Sequence, residues 1–425
     1  MREPVGLRAV LDVTGPWLPL ISFLARLPAG LCPTGTLVMV TSLGGIRRAG
    51  LVAGCLWAGQ AAGGPFIGRL ADRRGQRPVL LTASLLNATA TAALVASALG
   101  SRPTAVQAVC ATVAGLTVPQ VGPLSRSRWV GLVRGRPDAP ALAARAVSLD
   151  TTLDEVGFMV GPALVGVLAL LVGPAAGVGC AAVLMLVFGT AFALHPTAPP
   201  GAPAAPDRTE PLLSPSLIAL CGIAVSQGCL WGATNAGINA LAHGPGEQGV
   251  AGLVWSAMAV TSTLAGLAVT VRSRGPATAR QLRTAVACEA VLTCSLLWVR
   301  GFAGATAAVA AIGCAVAPLL IAVFGLAART APAARMGEAM TLLGSGLIAG
   351  QGMAAMAAGQ VASAHGPGWA FGLACAAGAC ASAAAFGFVR TGVRRPVAVD
   401  PTTTGPTTTD PLIPPQRAAP SEGGT

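Results

Sequence analysis

Apolar stretches long enough to cross a bilayer recur along most of this chain, separated by short polar gaps. Spanning helices need roughly 17 to 25 residues. On that yardstick the pattern predicts helices near 16–42, 49–68, 78–98, 104–125, 147–171, 174–194, 215–240, 249–271, 284–299, 302–328, 338–362 and 368–389. Alternating strand patterns are absent. Twelve spans place both termini on one side of the membrane, and the arginines choose which side. With the termini inside, 22 arginines fall in inner segments and only Arg47, Arg48, Arg102 and Arg300 in outer ones, while Arg26 lies within the first span. The reading is therefore an all-α membrane protein, N-in and C-in.

Composition strengthens the reading. Hydrophobic residues make up 53% of the chain and charged residues 10%, too little polar surface for a soluble protein of 425 residues. With 55 glycines and only 4% aromatics, the helices are suited to close packing through small residues. A net charge of +12 raises the question of nucleic acid, but the arginines follow the positive-inside pattern, not a basic groove. The eleven cysteines sit almost entirely in apolar runs with no C-x-x-C, so they read as small buried hydrophobes. His195, His243 and His365 fall at run ends, and neither a metal nor a cofactor is expected. Arg2, Glu3, Arg8 and Asp12 precede a run long enough to span, so the first helix is expected to remain in the mature protein.

Between the sixth and seventh spans, residues 195–214 are too rich in proline to be helical and read as a cytoplasmic linker. It separates a six-helix half, residues 1–194, from a second half, residues 215–389, with a disordered cytoplasmic tail at 390–425. Setting Glu155 against Glu338 aligns Gly161 with Gly344, and setting Gly75 against Gly275 aligns Arg74 with Arg274, as a duplicated unit would. Internal symmetry of this kind is common in secondary transporters, whose sites lie between the halves.

The ten residues from Gly68 to Arg77 put a dense charged turn between the second and third spans. A merely basic loop would explain the arginines but not Gly68, Asp72 and Gly75 at their spacing. The form G-x-x-x-D-R-x-G-x-R resembles the signature of the major facilitator superfamily of transporters. That resemblance implies two pseudo-symmetric six-helix bundles rocking about a central site. It also implies a conformational latch with Asp72 as the anion, Arg73 and Arg77 as cationic partners, Gly68 allowing close packing, Gly75 closing the turn, and the start of the eleventh helix as counterpart. An anion facing a helix N-terminus gains roughly 0.3–1 kcal/mol at an exposed site, enough to bias two conformers. The second-half counterpart of the turn has arginine where the aspartate would fall, so one latch is expected, not two.

In the fifth span Asp150, Asp154, Gly157 and Gly161 share one helical face. Gly157, Gly161, Pro162 and Gly166 resemble the antiporter motif G-x-x-x-G-P-x-x-G-G of drug:proton exporters, with Val165 replacing one glycine. Ordinary small-residue packing with a proline kink is the alternative. Asp154 and Glu155 lie roughly 10 Å past the inner boundary at 1.5 Å per residue, and Arg26 sits at a similar depth. A buried arginine needs a carboxylate or water, so Arg26 is expected to pair with Glu155 or Asp154, either as a proton-coupling device or as a static ion pair. Gln227, Trp231, Asn235 and Asn239, spaced by four, form a polar stripe on the seventh span. The stripe should face an aqueous cavity or another helix. In the family this resembles, helices one, four, seven and ten line the cavity, which adds Gln107 and Gln120 as candidate substrate contacts. Glu289 and Glu338 read as helix-terminus residues.

A phosphate-binding loop requires lysine, of which there is none, and no nucleophile elbow or H-E-x-x-H is present, so ATP drive and hydrolysis are excluded within this chain. The sequence reading is a monomeric secondary transporter in a prokaryotic plasma membrane, exporting a small drug-like or metabolite molecule against protons. Its partners are the substrate, protons and lipid. A nutrient symporter and a non-transporting scaffold are the alternatives.

Overall fold

The computed structural model describes residues 12–13, 15–133, 139–200, 214–242, 247–272, 278–331 and 336–388. Its regular structure is helical. The elements are α1 (Trp17–Arg74), α2 (Gln76–Leu99), α3 (Thr104–Leu116), α4 (Val121–Val133), α5 (Ala139–Leu171), α6 (Ala176–Leu184) and α7 (Thr190–Leu194). They continue as α8 (Pro215–Ala240), α9 (Glu247–Arg272), α10 (Ala279–Thr293), α11 (Phe302–Thr330), α12 (Met336–His365) and α13 (Pro367–Phe388). Nine helices among the described residues are long and apolar enough to cross a membrane by length and composition. The tail at 390–425 and most of the linker, 201–213, lie outside the described residues.

Several boundaries differ from the expected ones for identifiable reasons. The first two expected spans run together as α1, with their only break at Gly45, whose φ of 79° and ψ of 163° lie outside the helical region. Glycine reaches a positive φ without the clash a Cβ would cause. The fourth expected span is divided at residues 117–120, where Pro119 has no amide hydrogen to continue the ladder. In the sixth, a π turn at Met185–Gly189 joins α6 to α7. The ninth starts five residues earlier than expected, at Ala279, because Thr278 and Gln281 form a reciprocal capping box. It ends in a 3₁₀ turn, Cys294–Trp298.

Four apolar clusters fill the interior. One gathers Leu31, Leu37, Met39, Leu56, Leu94 and Val178, and another Leu230, Ile238, Val309, Ile312 and Phe371. Large apolar side chains such as Phe66, Leu86, Val109, Phe158, Leu264 and Val291 point outward. An apolar exterior of this extent is favourable only against hydrocarbon. The cysteines depart from expectation: only Cys32 is buried, and Cys288, Cys294, Cys314 and Cys380 are exposed on helix surfaces.

Glycine sets how closely the helices approach. A Cβ on Gly161 of α5 would lie 2.9 Å from the carbonyl carbon of Gly30 in α1. A Cβ on Gly166 would lie 2.7 Å from the Gly249 oxygen in α9, and one on Gly252 would lie 3.0 Å from the Gly166 nitrogen. A second seam joins α1 to α12, where a Cβ on Gly359 would meet Gly50 Cα at 2.9 Å and one on Gly352 would meet the Gly54 oxygen at 3.0 Å. The α5–α9 and α1–α12 seams each join residues before position 195 to residues after position 214.

Candidate functional site

A four-charge cluster lies between α1, α4 and α5. Pro119 ends the previous helical stretch, and α4 restarts at Val121, which carries Ser125 and Trp129 into the interior and leaves Arg126 at its edge, with a side chain 39% exposed. Asp150 and Asp154, four residues apart on α5, share one face toward them. The buried Arg26 guanidinium donates from Nη2 to Asp150 Oδ1 at 2.8 Å and from Nη1 to Asp154 Oδ1 at 2.9 Å. It also donates to the carbonyls of Asp150 and Ser22, at 2.9 and 3.1 Å. Arg126 closes the square, donating from Nε to Asp150 Oδ2 at 3.3 Å and from Nη2 to Asp154 Oδ2. Ser125 Oγ donates to Asp150 Oδ1 at 2.7 Å, and the Trp129 indole donates to Ser125 at 2.9 Å. Gly122 makes room, since a Cβ there would stand 3.0 Å from Asp154 Oδ1.

The charges cancel, but the two carboxylates are not equivalent. The Asp150 side chain is wholly buried, whereas that of Asp154 is 17% exposed. Asp154, one of the two partners expected for Arg26, is bonded to it, and Asp150 and Arg126 join the same cluster. The Glu155 side chain lies outside the described residues.

The fifth-span glycines serve two partners. Gly157 and Gly161 face α1, with a Cβ on Gly30 meeting the Gly157 oxygen at 3.3 Å, while Gly166 faces α9. Pro162 lies inside α5 and turns its oxygen toward Gly252.

Gly75 divides α1 from α2 at φ 91°, as a turn-closing glycine should. Asp72, Arg73 and Arg77 are exposed, and Asp72 has no ion pair or hydrogen bond among the described residues. A Cβ on Gly68 would meet nothing within 4 Å, so the expected close packing there is not seen in this conformation. The expected counterpart, the start of α12, follows the undescribed residues 332–335, and the Glu338 side chain is likewise outside the described residues.

At the end of the turn lies a hub with no signature in the sequence pattern. Arg128, buried in α4, donates to Gln76 Oε1 at 2.7 Å and to the Phe192 carbonyl at 2.8 Å, and stacks 3.8 Å over the Phe192 ring. Gln76 N donates to the Pro199 carbonyl, tying down the first residues of the linker. Burial, and after it the Arg128 charge, pushes the His195 imidazole below its usual range.

On α8, Gln227, Asn235 and Asn239 are buried, Gln227 against Glu289 of α10, and the glycines Gly228 and Gly232 beside the stripe let α8 press against Leu347 and Gln351 of α12. Asn239 Nδ2 donates to Asn235 O and Oδ1, both at 2.9 Å. Trp231 is half-buried, and its Nε1 finds no acceptor among the described residues. Gln107 donates to the Arg102 carbonyl at 3.0 Å and Gln120 to the Val118 carbonyl at 3.3 Å, both local bonds with no described contact to α8. Glu289, expected at a helix terminus, is corrected: it is 2% exposed, ten residues into α10, and accepts a bond of 2.6 Å from Gln227 Nε2.

Comparison with known proteins agrees with this architecture. A family model described as Major Facilitator Superfamily matches residues 20–316. The fold is similar to that of the POT family transporter PepTSo, at 13% identity, 88% of this chain, 97% of that one and TM-score 0.64. It is similar to the nucleoside transporter NupG, at 13% identity, 88% and 98% coverage and TM-score 0.67. The human organic anion transporter MFSD10 (TETRAN) is also similar, at 18% identity, 89% and 99% coverage and TM-score 0.57. No curated protein sequence matches the chain.

Proposed function

The chain belongs to the Major Facilitator Superfamily and is a multi-pass membrane transporter; from that premise we propose that it exports a small, largely apolar molecule in exchange for protons. The observation that carries the proton coupling is Asp154, partly exposed and held between Arg26 and Arg126. Protonating Asp154 would neutralise one acceptor shared by two guanidiniums and loosen α5 from α1 and α4. Asp150, fully buried and bonded to Arg26, Arg126 and Ser125, would keep the helices in register while that happens.

In this reading twelve spans form two bundles, residues 1–194 and 215–389, joined by the linker at 195–214. Both termini and the tail are cytoplasmic, the membrane is the plasma membrane and the protein acts as a monomer. The arginine distribution supports that orientation. The glycine seams then close the outer face, and the conformation is inward-facing. Asp72 would act as a latch when the inner ends approach, with Arg73 and Arg77 as its cations. Trp231 and Gln120, which keep partial exposure, are the substrate contacts we favour among the six candidates.

The test is transport into everted vesicles across a chemically varied panel, with and without an uncoupler. Uptake that needs the proton gradient and is lost in Asp154→Asn is expected. Uncoupler-insensitive flux refutes the coupling, and flux in the opposite direction makes the protein an importer.

A further inference from the structure

Within the cluster of α1, α4 and α5 two aspartates are matched by two arginines, but the second half buries an acid that meets no cation among the described residues. Glu289 takes part in no ion pair among the described residues, and its one side-chain partner is the neutral amide of Gln227. At 1.5 Å per residue, Glu289 lies about 15 Å along α10 and Gln227 about 18 Å along α8, so both sit well beyond the first turns of their helices. The described residues packed around them supply no counter-ion. Cys221 and Cys229 are the titratable groups on α8, Cys375 and Cys380 are those on α13, α11 carries Cys314 and, in its last turn, Arg329, and α12 carries His365 in its last turn and Glu338 near its start, whose side chain lies outside the described residues. On α10 itself, Arg280 in the first turn and Cys288 are exposed, as is Cys294 in the turn that follows, and Arg283 points its guanidinium at the Phe386 ring, 5.9 Å away. A carboxylate placed there would lose its hydration and gain a single amide bond in return, which is far from sufficient.

The Gln227 amide carries a second sign. Its Nε2 is bonded to Glu289, while its Oε1 is buried with no donor among the described residues. Buried acceptors are rarely left so. A carboxylic acid has the O–H that a carboxylate lacks, and an acid facing an amide can form two bonds, N–H to one oxygen and O–H back to the amide oxygen.

We propose that Glu289 is a proton-binding site of the second half, held as a neutral acid by the Gln227 amide. When water reaches the pair, the Glu289 O–H bond breaks, the proton passes to that water, and the carboxylate keeps the Gln227 N–H. Reprotonation reverses the step. Gln227 sits on the same face of α8 as Trp231, so occupancy of the site is sensed where the substrate would lie. Only this use of the proton rests on the exporter reading; its presence does not.

Infrared spectroscopy of the purified full-length protein near neutral pH tests the proposal, because a protonated carboxyl has a carbonyl band that shifts in D₂O. The wild type should show such a band, Glu289→Gln should lose it, and Gln227→Leu should move it. A wild type without the band, or a band unchanged in Glu289→Gln, overturns the proposal. If Glu289→Gln does not fold, an unmoved band in Gln227→Leu overturns it equally. Should transport prove insensitive to uncouplers while the band persists, the exporter reading fails and the proton site stands.

Discussion

Replacing Gly359 by alanine should open the seam between α12 and the second limb of α1. The added Cβ would lie 2.9 Å from Gly50 Cα and 2.9 Å from the Ile46 carbonyl oxygen. Carbon atoms rest about 3.5–4.0 Å apart. Both obstacles are backbone, so no rotamer change relieves the contact, and the helices must part by up to about 1 Å. Overpacking of this kind costs about 1–3 kcal/mol. Because the clash exists only while the seam is closed, the whole penalty falls on that state, shifting the closed-to-open ratio by about 5- to 150-fold. The assay is double electron–electron resonance between spin labels at Leu43→Cys and Ala364→Cys, exposed positions near the two helix ends, in a background without native cysteines. Gly359→Ala should add a longer distance component. Gly372→Ala, where a Cβ meets nothing within 4 Å, should not. Identical distance distributions in the two variants would refute the view that this seam is a sterically defined gate.

Two further outcomes follow from the charges. Asp150→Asn leaves two guanidiniums short of their fully buried acceptor and should lower stability by about 3–5 kcal/mol, read as a lower melting temperature, whereas Asp154→Asn, with a partly exposed side chain, should lose less; equal losses would contradict the division of roles. His195 has its proton affinity depressed by folding, so the unfolded chain binds the proton more readily. Its contribution is complete above about pH 6.5 and declines as pH falls through that value. His195→Asn should flatten the melting temperature across that range, and an unchanged slope would show that another group is responsible.

The apolar pattern made the helices legible, and the acids of the fifth span advertised their cluster, since Asp150 and Asp154 four apart can only be neighbours on a helix. Arg126 was not legible as their partner. Bilayer reasoning assigns an arginine at the end of an apolar run to the surface, where Arg126 partly remains, and only the restart of the helix after Pro119 brings its guanidinium to the two aspartates. Glu289 was misplaced for a related reason. Arg280 and Arg283 made the stretch before it look like loop, while the Thr278 and Gln281 capping box begins the helix there and sets Glu289 deep. The amides of α8 read equally as cavity lining or as helix contacts; the decision belonged to Gly228 and Gly232, whose partners on α12 are over a hundred residues away in the chain.

Gly45 joins the limb of α1 that carries Arg26 to the limb that carries Gly50 and Gly54, and it does so with one residue outside helical geometry. A connection without a loop has no slack. Any tilt imposed on the first limb, as a neighbouring carboxyl gains or loses charge, therefore arrives at the second limb as displacement, as with two rigid arms meeting at a single pin. Events at the charged cluster can then move the far seam through the backbone alone, with no chain of repacking side chains in between.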